Sequence, residues 1–214
     1  MSLGQPIEQI QVEMHLLDGW YVQSGLWVIG SGFVDGALLK GSKLHDYFME
    51  SRPGGFAERA KNLNGYFTAV RILPGRLEVV TDRIRTYPLF YGLAEDRLVL
   101  SDDAEFVQSE CGSVQKDPIG SAEFLRTGQL VTGDKTLFQG LYQLQAAESL
   151  IFQKGSELKR ARWTDYRHEE DDSLDEVELL RRLDTAVVES TQRLIDVAGG
   201  EPIVLPLSGG YDSR

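Results

Sequence analysis

Alternation of hydrophobic and polar residues predicts short strands along much of the chain. Residues 65–73 alternate most clearly, Pro74-Gly75 predicts a turn after them, and residues 77–81 predict the returning hairpin strand. Residues 26–34 form a similar run, in which Gly30 and Gly32 indicate that another backbone passes close by. The 65–73 strand places Phe67, Ala69 and Arg71 on one face, and Tyr66, Thr68, Val70 and Ile72 on the other.

Further strands and a few short helices are predicted up to residue 163. Residues 88–91 pair with 97–101, and residues 142–152 pair with 157–163 around a turn at 154–156. Ser42 is predicted to cap a short helix, which Pro53-Gly54 ends. Residues 102–108 are predicted to form a second short helix. Residues 118–126 are predicted to form a third, with Asp117 as its cap, Pro118 at its first position and Gly128 after its end. Many strands without strict strand–helix alternation predict a layered α+β domain built on antiparallel sheets.

The pattern changes at the acidic run 168–172, which is typical of a solvated linker. Residues 173–176 match a capping box with Ser173 as cap, and apolar residues then follow helical spacing until Gly199-Gly200. Residues 203–207 are apolar without alternation, which predicts a strand buried on both faces of a parallel sheet. We therefore expect two domains, 1–167 and 168–214, of which the second is the truncated start of an α/β domain.

Composition narrows the function classes. The chain has 33 acidic and 22 basic residues and a net charge of -11, which argues against a nucleic-acid surface. Cys111 is the single cysteine, so no internal disulfide is possible and a reducing cytoplasm is the expected location. No apolar run approaches the roughly 20 residues that span a bilayer, and residues 1–19 lack the pattern of a secretory signal, so no membrane partner is expected.

The last residues carry the most specific chemistry. Gly209 and Gly210 let a backbone approach phosphate oxygens closely, and the hydroxyls of Ser208 and Ser213 add donors. Asp212 would repel phosphate directly, so its expected role is to hold Mg²⁺ between carboxylate and phosphate. The run predicts an ATP or pyrophosphate site with ATP and Mg²⁺ as cofactors. The alternative is an ordinary serine- and glycine-rich turn.

Several segments resemble one family in the same order. Residues 205–213 resemble the pyrophosphate-binding loop of the asparagine synthetase-like enzymes, which include the β-lactam synthetases. Residues 63–67 are similar to the family's Leu-x-Gly-x-Phe strand start, and Asp82-Arg83 with 87–91 to its Asp-Arg-x-Gly-x-x-Pro-Leu-Tyr-Tyr segment. Residues 136–141 and Trp163 fit the end of its first domain.

This resemblance implies both a fold and a reaction. It implies that 1–167 is a class II glutamine amidotransferase-like domain of the N-terminal-nucleophile fold, a four-layer αββα sandwich with two antiparallel sheets. It also implies that 168–214 opens an ATP pyrophosphatase-type synthetase domain. Such a domain adenylates a carboxylate substrate, releases pyrophosphate and lets an amine donor attack the acyl-adenylate. The oligomeric state, a homodimer included, stays open.

The sequence departs from this family where glutamine hydrolysis would occur. A working glutaminase needs a cysteine at the mature N-terminus, whereas residue 2 is Ser and the first cysteine is Cys111. The family's Asn-Gly oxyanion segment is also not recognisable, because residues 30–36 occupy that region. Arg85 replaces a glycine, and residues 145–148 replace a Pro-Gly-Glu turn. We interpret the first domain as a non-hydrolysing relative and assign it no catalytic residue.

Three hypotheses therefore remain. The chain is the N-terminal part of an ATP-dependent amide-forming ligase, a non-catalytic docking or oligomerisation module, or a glutaminase whose native N-terminal cysteine is missing from this sequence. Other tempting residues have simpler interpretations. Cys111 is expected to be a passive thiol and Asp82-Arg83 a structural ion pair, while Trp163 and Tyr166 are expected to fasten the first domain to the second.

Overall fold

The computed structural model describes residues 7–170, 173–207 and 209–210. The chain divides into two compact units, Met1–Asp165 and Tyr166–Arg214. The described strands are β1 Gln9–Glu13, β2 Tyr21–Gln23, β3 Leu26–Val34, β4 Ala37–Lys40, β5 Asn64–Leu73, β6 Arg76–Thr81, β7 Phe90–Ala94, β8 Arg97–Ser101, β9 Leu141–Gln143, β10 Glu148–Gln153 and β11 Lys159–Arg162. The described helices are α1 Ser42–Met49, α2 Phe56–Asn62, α3 Ala104–Glu110, α4 Pro118–Thr127 and α5 Glu176–Ala198.

The strands form two sheets in the first unit. The larger, seven-stranded sheet has the order β11-β10-β6-β5-β3-β2, and β4 pairs with β3 beside this path. All of its pairs are antiparallel. The four-stranded sheet has the order β1-β8-β7-β9, and β1 runs parallel to β8. The expectation that both sheets are antiparallel is therefore wrong for the pairing of β1 with β8. β1 lies far upstream of β8 in the chain, so no hairpin fixes its direction.

Three apolar clusters stack the sheets and helices into layers. On one face of the seven-stranded sheet, Phe67 packs with Phe48 of α1 and Phe56 of α2. The opposite face packs against the four-stranded sheet, with the buried members Val70, Val79, Leu98 and Leu100. The outer face of the four-stranded sheet packs against α3 through Val99 and Val107. The first unit is therefore an α+β fold with the layer order helix, sheet, sheet, helix.

The alternation predicted for β5 is confirmed. Phe67 and Ala69 belong to the cluster under α1 and α2, whereas Val70 belongs to the cluster between the sheets. The close approach predicted at the β3 glycines is also present. A Cβ added to Gly30 would lie 2.0 Å from the carbonyl oxygen of Tyr66, so this position excludes any side chain.

Some predicted element boundaries are wrong. Gly41, with φ 56°, occupies the cap position of α1, and no side chain caps that helix, so Ser42 is its first residue. The predicted strand 142–152 is two strands in different sheets, because residues 144–147 leave β9 and turn into β10. The cap of α5 is Asp175, whose carboxylate accepts a hydrogen bond from the Glu178 N–H at 2.8 Å, and not Ser173. The sequence did not indicate β1, β2, β4 or α2.

The second unit contains α5, which Gly199 ends in the left-handed conformation as predicted. No residue of α5 is buried. The predicted buried strand at 203–207 is wrong, because these residues form no strand and Val204 is 84% exposed. A strand needs neighbours for its backbone hydrogen bonds, and the described residues provide none here. Among the described helices, none is long and apolar enough to cross a membrane.

Candidate functional site

The predicted phosphate loop lies partly outside the described residues. Ser208, Asp212 and Ser213 fall outside them, while Gly209 and Gly210 lie exposed at a bend. A Cβ added to Gly209 would meet nothing within 4 Å, and its φ lies outside the left-handed region. Neither packing nor backbone conformation in the described residues therefore requires glycine at position 209. Close approach of a ligand to the backbone is a remaining reason for it.

The described residues offer no protein site for a metal ion by themselves. Among residues 7–170, 173–207 and 209–210, no group of three or more His, Cys, Asp or Glu side chains is arranged to hold one. Mg²⁺ often binds through one or two carboxylates together with substrate phosphates, so the predicted role of Asp212 does not require a cluster of protein ligands.

Cys111, the one cysteine of the chain, lies at the C-terminal end of α3. Its sulfur faces Gly92 of β7, since a Cβ added to Gly92 would lie 2.8 Å from it. Burial raises the pKa of the Cys111 thiol to about 11; the nearby Arg97 lowers it and Glu110 raises it further. A thiol with this pKa holds little thiolate near neutral pH, so Cys111 is poorly suited to attack an amide.

Asp82 and Arg83 organise turns and do not bond to each other among the described ion pairs. The Asp82 carboxylate accepts hydrogen bonds from the Phe67 N–H at 3.0 Å and the Ile84 N–H at 2.8 Å. The Arg83 guanidinium donates to the carbonyl oxygen of Leu63 at 3.0 Å and lies 5.1 Å from the ring centre of Trp163. The predicted ion pair between Asp82 and Arg83 is therefore wrong, although their structural role is as expected.

Trp163 belongs to the core of the first unit. It is 6% exposed, and its indole N–H donates to the carbonyl oxygen of Thr81 at 3.0 Å. Tyr166, by contrast, is 93% exposed. Trp163 therefore packs within its own unit, in the core beside the seven-stranded sheet.

Arg85 and Ala147, in the two segments where the sequence departs from the family it resembles, have a left-handed backbone. Arg85 has φ 58° and Ala147 has φ 53°, a region in which glycine is the least strained residue. The Ala147 N–H donates to the Asp82 carbonyl oxygen at 2.7 Å, which fixes that turn. The Arg85 guanidinium donates to the Leu144 carbonyl oxygen at 3.2 Å. Both left-handed turns therefore form without glycine, and side-chain and backbone hydrogen bonds hold them in place.

A network of charged and phenolic groups joins the two sheets at one edge, and the sequence did not indicate it. Arg160 of β11 donates to the Tyr91 hydroxyl of β7 at 2.9 Å and also bonds to Asp134. Burial raises the pKa of Tyr91 and that of Glu148, whose carboxylate accepts the Gln145 N–H at 2.7 Å. Because these groups bind one another, the network connects the sheets and offers no unpaired group to a ligand.

Two cavities on the first unit are wide enough to consider as sites. One, of about 580 Å³, lies between α1 and α2, and its charged walls include Arg59, which pairs with Glu50 at 3.4 Å. The second, of about 420 Å³, lies at the opening between the two sheets. Neither contains a residue that the sequence singled out as a candidate.

Comparison with known proteins gave only distant structural likeness. No family model matches the chain, and no curated protein matches it. Similar solved structures include glutamine phosphoribosylpyrophosphate (PRPP) amidotransferase from B. subtilis complexed with ADP and GMP, at 12% identity and a TM-score of 0.41, covering 65% of this chain and 29% of that chain. The allosteric regulatory enzyme of purine biosynthesis matches with the same identity, TM-score and coverage of this chain, and with 28% of its own length covered. The chain spans less than a third of either protein, and likeness at this level does not establish a shared activity.

Proposed function

We propose that the chain is the N-terminal portion of an ATP-dependent amide-forming ligase of the asparagine synthetase-like kind. The observation that carries this proposal is the run Ser208-Gly209-Gly210-Tyr211-Asp212-Ser213. In the proposal, Ser208, Gly209, Gly210 and Ser213 donate hydrogen bonds to the pyrophosphate part of ATP, and Asp212 is a ligand of Mg²⁺. The full-length protein then activates a carboxylate as its adenylate, which an amine attacks.

Two features of the first unit support this assignment. Its helix–sheet–sheet–helix layering is the architecture that the resemblance implies for the domain before the synthetase. The left-handed backbone at Arg85 coincides with a position where that family has glycine, and that at Ala147 lies in the segment that replaces the family's Pro-Gly-Glu turn. These are independent of the terminal loop, since they concern the fold and not the nucleotide.

We further propose that this unit does not hydrolyse glutamine. The only thiol in the sequence is half-buried with a raised pKa, so the attacking nitrogen would have to be that of free ammonia or of another amine. The amine donor is then a free amine that reaches the synthetase site directly.

The proposal is tested by following AMP and pyrophosphate formation by the full-length protein with a panel of carboxylates. Asp212→Asn is expected to slow turnover by about tenfold or more, because a charged Mg²⁺ ligand is lost. Asp196→Asn, an exposed carboxylate on α5, is the matched control and should leave turnover unchanged. Absence of nucleotide turnover with every carboxylate, in a folded protein, would contradict the proposal.

The exposed apolar side of α5 favours a second candidate, a docking or oligomerisation module. Four apolar side chains of α5 are at least half exposed: Leu180, Leu183, Val187 and Leu194. Such an apolar surface is unusual on a helix that binds no partner. Self-association without nucleotide turnover would support this candidate over the ligase. Glutamate release from glutamine by the native-start protein would instead support the glutaminase hypothesis.

A further inference from the structure

The cavity at the opening between the two sheets has an apolar interior and a charged rim. Its apolar walls come from both sheets and the hairpin tip that joins β5 to β6: Ile10, Ile72, Leu73, Pro74 and Phe152. Phe152 and Ile72 continue directly into the cluster between the sheets. A volume of about 420 Å³ lies within the range of small-molecule sites, which are mostly apolar with a few polar groups at fixed places.

The two charged residues at the rim have fixed backbones on opposite sides of the opening. On the seven-stranded side, the Lys154 N–H donates to the Gly75 carbonyl oxygen at 2.7 Å. On the four-stranded side, the Glu8 N–H donates to the Asp96 carbonyl oxygen at 2.6 Å. The side chains meet across the opening, with 2.5 Å between the Lys154 ammonium nitrogen and a Glu8 carboxylate oxygen.

This ion pair can be opened by a ligand. Both side chains are about half exposed, at 52% for Lys154 and 44% for Glu8, and ion pairs at such positions contribute little to stability. Arg76, the next cation on the hairpin, is already bound to the buried carboxylate of Glu78 at 2.6 Å. Lys154 and Glu8 are therefore the two charges at the opening that a ligand can engage.

We propose that this cavity binds a zwitterion with an apolar body, which is the chemistry of an α-amino acid with a branched aliphatic or aromatic side chain. An anion bound to Lys154 would leave Glu8 beside a like charge, and a cation bound to Glu8 would do the same to Lys154. A zwitterion gives both rim residues a new partner, while its side chain enters the apolar interior. Apart from Glu8 and Lys154, the described lining residues carry no side-chain donor or acceptor for an amide, so glutamine fits less well than an apolar side chain. This inference does not depend on the proposed function.

The charge requirement is tested with a matched series of ligands on the full chain by ¹H–¹⁵N NMR titration. L-Leucine is expected to shift the amide signals of Ile72, Gly75, Phe152 and Lys154. Glycine lacks the apolar body, 4-methylpentanoate lacks the ammonium group and 3-methylbutylamine lacks the carboxylate, so each should bind about tenfold more weakly or worse. Glutamine should bind more weakly than leucine for lack of an amide partner.

Variants at the rim separate the two charges. Lys154→Met should weaken leucine binding about fivefold or more but strengthen the weak binding of 3-methylbutylamine, because Glu8 is freed and the like charge beside the amine is gone. Glu8→Gln should likewise weaken leucine binding but strengthen that of 4-methylpentanoate. Lys43→Met, on the exposed face of α1 in the helix layer, is the control and should leave all affinities unchanged. Leucine-induced shifts confined to other residues, equal binding of either singly charged analogue, or equal binding of glutamine would overturn the proposal.

Discussion

At the scale of single residues, the structure explains a glycine that the sequence suggested only through resemblance. Gly65 lies in the Leu-x-Gly-x-Phe pattern at the start of β5 and pairs with Gly32 of β3. A Cβ added there would lie 2.2 Å from the Ser31 carbonyl oxygen and 2.3 Å from the Gly32 Cα. The glycine is therefore required by contact between two strands, and no catalytic role is needed to account for it.

Replacing Gly65 with alanine is expected to destabilise the first unit by about 3 kcal/mol or more, since backbone atoms and not a flexible side chain block the added methyl group. The free energy of unfolding from denaturant titration measures this loss. Asn64→Ala, at the exposed neighbouring position, should change it by no more than about 0.5 kcal/mol. Equal stability of Gly65→Ala and the parent chain would show that β3 and β5 are farther apart than described.

The thiol of Cys111 allows a second test at this scale. Because burial raises its pKa to about 11, its thiolate fraction at pH 8 should be about a hundredfold below that of a thiol with the ordinary pKa of 9.0. Alkylation of the folded chain by iodoacetamide at pH 8 should be slower than alkylation of the denatured chain by about this factor. The folded rate should still rise through pH 10, where an exposed thiol has levelled off. A folded rate equal to the denatured rate would contradict the buried placement.

At the scale of elements, the sequence predicted strands best where the two faces of a strand pack in different surroundings. The two faces predicted for β5 match its packing, because Phe67 and Ala69 join one apolar cluster and Val70 joins the other. In contrast, β2 spans three residues and β4 four, and runs this short carry too little alternation to identify. The prediction for residues 203–207 was wrong for a different reason. Apolar composition alone predicted a buried strand, but a strand forms only beside neighbouring strands.

The candidate site was less predictable than the fold. The chemistry of the terminal loop is local and appears in the sequence, whereas the intersheet cavity combines residues near positions 8, 72 and 154. No spacing in the sequence indicates that these segments meet. The pairing of β1 with β8, the pairing of β6 with β10 and the packing of the two sheets against each other together bring Glu8 and Lys154 to one opening.

The cap of α5 provides a prediction at the element scale, with two aspartates of the same helix region as a matched pair. Asp175→Ala should weaken the helix by about 1 kcal/mol, because the Glu178 N–H loses its acceptor. Asp184→Ala, at an exposed interior position, should strengthen it by roughly 0.5 kcal/mol, because alanine is the better helix former. Amide hydrogen exchange along α5 in the full chain measures both changes. Changes of the same sign in the two variants would show that Asp175 does not cap the helix.

At the scale of the whole molecule, the apolar burial is concentrated in the first unit. All members of the three apolar clusters lie between Ile7 and Trp163, whereas α5 has no buried residue. The stability of the first unit should therefore depend on its own layers. This separation also bears on the proposed function. A nucleotide site on the second unit would need neighbouring protein structure that the described residues of 166–210 do not supply.

A fragment ending at Asp165 is accordingly expected to fold by itself and to melt within about 3 °C of the first-unit transition in the full chain. The matched control is a fragment ending at Leu158, which lacks β11 and the buried Trp163. Losing a buried tryptophan costs about 3 kcal/mol or more, so this shorter fragment should melt at least about 6 °C lower. Thermal unfolding followed by circular dichroism and tryptophan fluorescence distinguishes the two. If the longer fragment melted as low as the shorter one, residues after Asp165 would contribute to the stability of the first unit.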